Sequence, residues 1–496
     1  MRKMITVMLN EAGFEYDIHS LVRAFYPMSE VKVFVEGEKE LVSDAGFPVI
    51  RIARSSEKIV IRLEPSPLDA GKDSRVSAVR KELLTKPELA KEEIRNGLKQ
   101  LIYQVLSDQT GKELPWGTLT GIRPAKIAMG LLEQGKTPAQ ILQHMQDTYY
   151  LSSRKGQLCI EIAEREKELL SGIHYRDGYS LYIGIPFCPT TCLYCSFTSY
   201  PISGWKERVS AYLSALEKEL EDAAEAFLGQ APDSIYIGGG TPTTLSPQEL
   251  ERLLAKLQSC FPLECVQEFT VEAGRADSIT REKLQVLKRY GVTRISVNPQ
   301  TMREETLRLI GRQHTAEQVA RAFDLARECG FDNINMDLIL GLPGEGEEDV
   351  RYTTEEVRKM GPDSLTVHSL AVKRASRLSR WIAENKVSVI QNTDTMMDIA
   401  AQAAASMGMQ PYYLYRQKNI SGNFENVGYA KPGCYGIYNI LMMEEKQTIV
   451  ALGAGSISKR VWPDGRIERC ENVKEVTLYI EKIDEMIERK RKLLEA

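Results

Sequence analysis

No run of 18 or more apolar residues occurs in this chain of 496 residues, and its first residues, Met1-Arg-Lys-Met-Ile-Thr6, lack the long apolar core of a secretory leader. No membrane span is expected, and the protein is expected to be soluble and cytoplasmic. An excess of either charge is also missing. The 64 Lys and Arg stand against 68 Asp and Glu, a net charge of −4, and the basic residues are spread rather than blocked, so no electrostatic footprint for nucleic acid appears. A composition of 43% hydrophobic and 27% charged residues excludes disorder and leaves room for two or three domains with sizeable cores. Nine cysteines are an odd number, and six of them are scattered singly or as the loose pair Cys260 and Cys265. Such usage fits a reducing compartment and metal binding better than a disulfide framework.

The remaining three cysteines organise the chain. They follow a β-like run, Tyr182-Ile-Gly-Ile-Pro-Phe187, in the order Cys188-x3-Cys192-x2-Cys195. Three thiolates on one short loop suit three corners of a [4Fe–4S] cube, because soft sulfur ligands select iron–sulfur clusters and zinc. No fourth cysteine lies in the loop, which leaves one iron with an open position suited to chemistry on a bound small molecule. Against this stand buried, inert cysteines and a partial zinc site. Zinc sites favour paired C-x2-C knuckles, and this chain has no second one.

Around that loop the chain reads as three stretches. Residues 1–175 suggest an α+β domain of unassigned chemistry, with strands at Ile5–Leu9, Val31–Val35 and Lys58–Leu63 and helical patterns from Ser77 through Leu170. Inside it, Trp116-Gly-Thr-Leu-Thr-Gly-Ile-Arg123-Pro124-Ala-Lys126 places Pro124 where a helix begins, and Thr137-Pro138 opens the next. Arg123 and Lys126 suit a solvated helix start, or an anionic ligand or neighbouring domain. Residues 176–372 alternate short apolar strands with amphipathic helices, at Leu181–Ile185, Ser234–Ile237, Glu268–Glu272, Thr293–Val297, Asn333–Leu338 and Ser364–Ser369. Six such repeats predict an α/β fold, an open, partial (β/α)6 barrel whose reactive groups gather at the carboxyl ends of the strands. Residues 373–496 form a mixed C-terminal region, with a helix around Thr393–Ala405, an aromatic middle and a charged helix near Val473–Leu494.

The residues at the strand ends are Cys188, then Gly238-Gly239-Gly240-Thr241-Pro242, Glu272, Asn298 with Gln300, and Asp337. Glycines let backbone approach a ligand closely, although a glycine run after a strand is more often a turn. Tyr412, Tyr413, Tyr415, Tyr429, Tyr435 and Tyr438 cluster in the C-terminal region, as core packing or as a face over a flat ligand.

The cysteine loop, with Tyr194 just before the third cysteine, resembles the signature of the radical S-adenosylmethionine (SAM) superfamily. From about residue 180 to 460 the chain is similar to the oxygen-independent coproporphyrinogen III oxidase branch, and within it to the HemZ-type coproporphyrinogen dehydrogenases. The latter likeness rests on Leu119-Thr-Gly-Ile-Arg-Pro124, on Tyr412-Tyr-Leu-Tyr-Arg416-Gln-Lys418-Asn, and on Phe424-Glu-Asn-Val-Gly428-Tyr429-Ala-Lys431 and Gly453-Ala-Gly455-Ser.

The resemblance implies a [4Fe–4S] cluster on Cys188, Cys192 and Cys195. It implies SAM contacts from Tyr182, Gly238, Gly239, Gly240, Thr241, Glu272, Gln300, Arg312 and Asp337. Thr270-Val-Glu272-Ala-Gly274-Arg275 departs from the family's more usual Glu-Ala/Ile-Asn/Asp-Pro. Each of Gln300, Arg312 and Asp337 alone is more often a structural hydrogen-bond partner. The implied reaction is decarboxylation of two propionates of coproporphyrinogen III to vinyl groups through a 5′-deoxyadenosyl radical, giving protoporphyrinogen IX for haem. Porphyrinogen is then the substrate partner, and a flavodoxin or ferredoxin the electron donor. For the propionates Arg374, Arg416 and Lys418 are the candidates, with Lys431 and Lys459 also available, because arginine matches a carboxylate bidentately. Haem-binding chaperones of the same family and radical SAM methylation or ring-opening of haem are the alternatives. The chaperones' usual His-Asn-x-x-Tyr-Trp is absent here, where the chain reads Tyr438-Asn439-Ile440.

Overall fold

A computed structural model describes residues 4–27, 29–37, 49–64, 79–84, 89–120, 123–197, 199–372, 377–385, 392–416 and 423–495. They form two compact units, Met1–Ala163 with Tyr415–Glu425, and Glu164–Leu414 with Asn426–Ala496. The first unit ends short of the boundary expected at residue 175 and takes in a segment from beyond residue 373.

The first unit holds a five-stranded mixed sheet in the order Glu30–Val35, Met4–Leu9, Val49–Arg54, Lys58–Glu64, Val79–Leu84. Met4–Leu9 pairs in parallel with both its neighbours, and the last two strands add antiparallel. Val79–Leu84 corrects the helical reading from Ser77. Its charged sequence carries no strand signal of its own, but the edge of Lys58–Glu64 offers a ladder that pairs Lys58 with Leu84 through to Leu63 with Val79. Helices Glu15–Phe25 and Lys91–Thr110 contribute Leu21, Val22, Phe25, Leu98, Leu101, Ile102 and Val105 to a core with Val7, Ile50, Ile52, Ile59 and Ile61. Helix Pro138–Tyr149 begins as expected, with Thr137 accepting from the Gln140 amide and Pro138 in the first turn.

In the second unit six parallel strands follow in sequence order: β1 (Tyr179–Ile185), β2 (Ser234–Gly239), β3 (Glu268–Glu272), β4 (Arg294–Ser296), β5 (Ile334–Leu340) and β6 (Ser364–Ser369). Amphipathic helices connect them. Pro247–Cys260, for example, buries Leu250, Leu253, Leu254 and Leu257 and is closed at its start by reciprocal Ser246 and Glu249 bonds. This is the expected partial barrel. Its edges are not left bare: Thr448–Leu452 pairs in parallel with β1, and Asn426–Ala430 pairs antiparallel with β6. Strands beyond residue 373 thus extend the barrel's own sheet to eleven strands, which covers the unpaired backbone groups at both edges. The expected C-terminal helix is two, Val476–Glu481 and Ile483–Glu495. Among the described residues no helix is long and apolar enough to cross a membrane.

Candidate active site

The strands of the barrel alternate, and their two faces differ chemically. Leu181, Ile183, Ile235, Ile237, Phe269, Val271, Ile295, Ile334, Met336, Leu338, Leu365 and Val367 are buried on one face. The other face carries Tyr182, Tyr236, Thr270, Glu272, Ser296, Asn335, Asp337, Thr366 and His368, aligned by the registers Tyr182 with Tyr236, Thr270 with Tyr236, Glu272 with Ser296, and Asp337 with Thr366. Glu272 on β3 lies within electrostatic range of Asp337 on β5, two strands away, and of His368 on β6, as the curvature of a partial barrel brings them. A barrel interior with no task beyond packing is filled by branched apolar side chains. This one is built to hold something polar.

At the mouth of this face the cysteine loop is clamped at both ends. Phe187–Cys188 pairs with Tyr200–Pro201, Leu193 donates to Ile310 O at 2.8 Å, and the Leu378 amide donates to Leu193 O at 2.9 Å. Leu193 sits in an apolar cluster with Leu307, Ile310, Ile339, Leu342, Leu370 and Leu378. Cys188 and Cys192 are buried and Cys195 is half-buried. Burial pushes the Cys188 thiol up to about 11 against the bond donated by Thr241 Oγ1 at 3.5 Å, and raises Cys195 too, so loading a metal here releases protons. Among the described residues no group of three or more His, Cys, Asp or Glu side chains is placed to hold one metal ion.

The glycine run leans directly on this loop. The Gly240 amide donates to Ile185 O, and the Thr241 amide to Phe187 O, both at 2.8 Å. A β-carbon on Gly240 would lie 2.6 Å from Phe187 O and 2.9 Å from Cys188 Sγ, while one on Gly238 would meet the Tyr236 ring at 2.8 Å and the Glu272 carboxyl at 3.0 Å. Gly239 has φ +107°, a conformation that needs glycine. Glu272 Oε1 accepts from the Tyr236 hydroxyl at 2.6 Å. Burial, with Asp337 adding to it, pushes the Glu272 carboxyl up to about 7 in spite of that bond. Burial would raise Asp337 likewise, but bonds from His368, Asn335 and Thr366 hold it below the usual carboxylate range.

Gln300 is buried and sits at φ 67°, rare for a side chain of its size, held there by its amide bond to Asp337 O and by Ile339 N donating to its carbonyl, each 2.9 Å. Arg312 donates to Asn298 O at 2.7 Å, Gly274 O at 3.2 Å and the Tyr194 hydroxyl at 3.0 Å. Among the described residues Ser296 Oγ, Asn298 Oδ1, Gln300 Oε1 and Arg312 Nε are buried without a hydrogen-bond partner. Four orphaned polar atoms in one region call for a ligand with donors and acceptors of its own. A nucleoside with an amino-acid tail, as in SAM, has both, so the residues present fit that group as the thiols fit a cluster.

The propionate candidates fare differently. Arg374 and Lys418 lie outside the described residues. Arg416 belongs to the first unit, where its guanidinium donates to Leu119 O at 2.6 Å and to Asn423 O and Oδ1 at 2.7 and 2.6 Å, 5.0 Å over the Trp116 ring. Burial lowers it to about 10. Among the described residues the guanidinium's bonds all run to groups of its own unit, two backbone carbonyls and the Asn423 side chain. Lys431 pairs with Asp363 at 3.3 Å, and Lys459 donates to Met442 O at 3.2 Å. Of the tyrosines, Tyr412, Tyr413, Tyr429 and Tyr438 are buried, and Tyr413 covers Gly428 so closely that a β-carbon there would overlap its ring. Packing accounts for them.

Sequence reading missed Tyr236, His368, Asn335 and Arg275. Tyr236 and Asn335 carry a signal in retrospect, because Tyr236 lies level with Tyr182 on the neighbouring strand and Asn335 is spaced by two from Asp337. Tyr236 also stacks with Tyr438, centroids 4.6 Å apart, and both rings lie parallel to Tyr182 at 6.2 Å.

Comparison with known proteins adds to this geometry. The radical SAM superfamily profile matches residues 182–357. The oxygen-independent coproporphyrinogen-III oxidase-like protein HemZ of Bacillus subtilis (strain 168) is 42% identical over 417 residues, 83% of this chain and 83% of that protein. The heme chaperone HemW of the same strain is 40% identical over 197 residues, 39% of this chain and 51% of HemW. The oxygen-independent coproporphyrinogen III oxidase of Escherichia coli (strain K12) is 33% identical over 192 residues, 39% of this chain and 42% of that enzyme.

Proposed function

Since the chain belongs to the oxygen-independent coproporphyrinogen-III oxidase-like family of radical SAM enzymes, we propose that it decarboxylates two propionates of coproporphyrinogen III to vinyl groups, yielding protoporphyrinogen IX in haem biosynthesis. The family uses a [4Fe–4S] cluster and SAM. The observation that carries the reading is the one inward face on which three thiols, a glycine run and four orphaned polar atoms meet. Cys188, Cys192 and Cys195 would hold the cluster. Bound there, a reduced cluster with SAM would supply a 5′-deoxyadenosyl radical to take a hydrogen atom from a propionate, which would then lose CO2 and pass one electron to a one-electron acceptor as the vinyl group forms.

The chain's own residues orient and seclude. Gly238–Gly240 let backbone come close to SAM, and Tyr182, Thr241, Gln300, Arg312 and Asp337 offer donors and acceptors at its rim. Glu272 accepts the ribose hydroxyls, a role for which it must be ionised. An electron carrier of flavodoxin or ferredoxin type provides the reducing electron.

Glu272 makes SAM affinity depend on pH. With its carboxyl at about 7, the ionised fraction rises about tenfold between pH 6 and pH 8, so affinity should rise about tenfold over that range. Glu272→Gln should flatten the profile. Anaerobic calorimetry reads both, and a pH-independent wild-type affinity would remove Glu272 from the ribose. For folding the sign is opposite. The unfolded carboxyl releases its proton near the ordinary 4.5 and the folded one near 7, so this group's stabilisation falls as pH rises through that window and is level above it.

Cys188→Ala, Cys192→Ala and Cys195→Ala should each abolish the [4Fe–4S] signal after anaerobic reconstitution, while Cys434→Ala keeps it. Iron and sulfide analysis decides. Function itself is tested with reconstituted protein, SAM, a reductant and coproporphyrinogen III, read by product mass. The partial likeness to HemW supports a second reading, a haem chaperone. Tight haem binding without any mass change of the porphyrinogen would favour that reading.

A further inference from the structure

Arg275 stands at a departure from the family text, in Glu272-Ala-Gly274-Arg275, and the structure buries it to 3% exposure. Its guanidinium is used on two sides. Nε and Nη2 form a fork onto Asp277, at 2.9 Å to Oδ1 and 2.5 Å to Oδ2. Nη1 turns the other way, to the cysteine loop. It donates to Thr190 Oγ1 at 2.7 Å, to Thr190 O at 3.2 Å and toward Cys192 Sγ at 3.9 Å. Asp277 has a further neighbour in the buried His314, whose Nδ1 lies 3.7 Å from Oδ1. A second buried guanidinium, Arg312, bonds to Tyr194 within the loop.

We propose that Arg275 is a positioning residue that raises the reduction potential of the cluster by placing a buried positive charge and an N–H donor on the Cys192 sulfur, with Asp277 limiting the effect. The inference rests on Cys192 being a cluster ligand, as argued above. Reduction adds one negative charge to the cluster. A cation 3.9 Å from a ligating sulfur, out of water, favours that added charge, and hydrogen bonds to cluster sulfurs act in the same direction. Because the fork fixes the guanidinium against Asp277, the charge cannot swing away to solvent. The carboxylate on the far side partly cancels it, which gives the pair a defined sign of response. Loss of Arg275 lowers the potential, and loss of the Asp277 charge raises it.

A purely mechanical role predicts otherwise. If Arg275 only ties Thr190 down, removing it loosens the loop and costs cluster content, and neutralising Asp277 acts in the same direction. The test uses the full chain, reconstituted anaerobically, with iron and sulfide content and a redox titration of the cluster followed by electron paramagnetic resonance. Arg275→Met keeps buried volume without charge, Arg275→Lys keeps charge without the fork, and Asp277→Asn keeps shape without the counter-charge. The expected order of potentials is Asp277→Asn above wild type, and wild type above Arg275→Lys above Arg275→Met. An unmoved potential in Arg275→Met with full cluster content overturns the proposal, and so does Asp277→Asn shifting downward. Should Arg275→Met fail to assemble a cluster, the sign of the Asp277→Asn shift decides alone. A wild-type chain that takes up no cluster would instead bring down the reading of Cys192 on which the proposal stands.

Discussion

Alanine at Gly240 is expected to remove most of the cluster iron, and alanine two residues earlier, at Gly238, is expected to leave the cluster and weaken SAM binding at least about tenfold. The difference follows from what each added methyl would meet. At Gly240 it would sit 2.6 Å from Phe187 O and 2.9 Å from Cys188 Sγ, and the first of these is backbone that also accepts the Thr241 amide. Neither neighbour is the far end of a flexible side chain. Relief requires moving the short strand Phe187–Cys188, and with it a thiol proposed to hold the cluster. At Gly238 the methyl would press on the Tyr236 ring and the Glu272 carboxyl, both side chains on the face proposed to take SAM. They can yield, at the cost of the 2.6 Å bond that orients Glu272. Iron content and SAM calorimetry on the two variants separate the effects. Equal iron in both would mean that the glycine run does not support the cysteine loop.

Glu219→Ala is expected to destabilise the second unit by about 3–5 kcal/mol, the range for breaking a buried ion pair from one side. Glu219 and Lys490 are each 1% exposed and paired with each other. The same carboxylate accepts from Asn472 Nδ2 at 2.7 Å, the Gly453 amide at 2.8 Å and the Tyr479 hydroxyl at 2.6 Å. Removal strands a lysine and three donors with no water to replace the acceptor. The consequence reaches the site, because Gly453 packs on the end of β1 so tightly that a β-carbon there would lie 2.5 Å from Gly184 O. Denaturant unfolding of the variant, together with hydrogen exchange at the Gly453 amide, checks both statements. A midpoint close to wild type would show that the pair is offset by its own desolvation.

Legibility followed locality. The cysteine spacing, the glycine run and the strands β1–β6 were visible because each is specified within about ten residues, by ligand chemistry or by alternation. The strand Val79–Leu84 was not, because its state is set by an open edge on Lys58–Glu64 and not by its own charged sequence. Arg416 depends on its surroundings in a related way. Arginine beside tyrosines suits a carboxylate, but burial against Leu119 O and Asn423 satisfies the same donors, and no local signal separates the two. Arg275 was read only as a departure from a family text.

By itself, the sequence determined the metal chemistry and the repeat: three cysteines on one loop and six strand–helix units are properties of neighbouring residues and survive any arrangement of the rest. What only the tertiary structure decided is which groups face one another. The curved sheet bonds Tyr236 to Glu272 and brings Glu272 within electrostatic range of Asp337, joins Arg275 to Cys192 across 83 residues, and assigns Tyr415–Glu425 to the unit of Trp116. Those meetings depend on sheet order and burial, where desolvation makes each polar group find a partner or a ligand, and burial is a property of the folded whole.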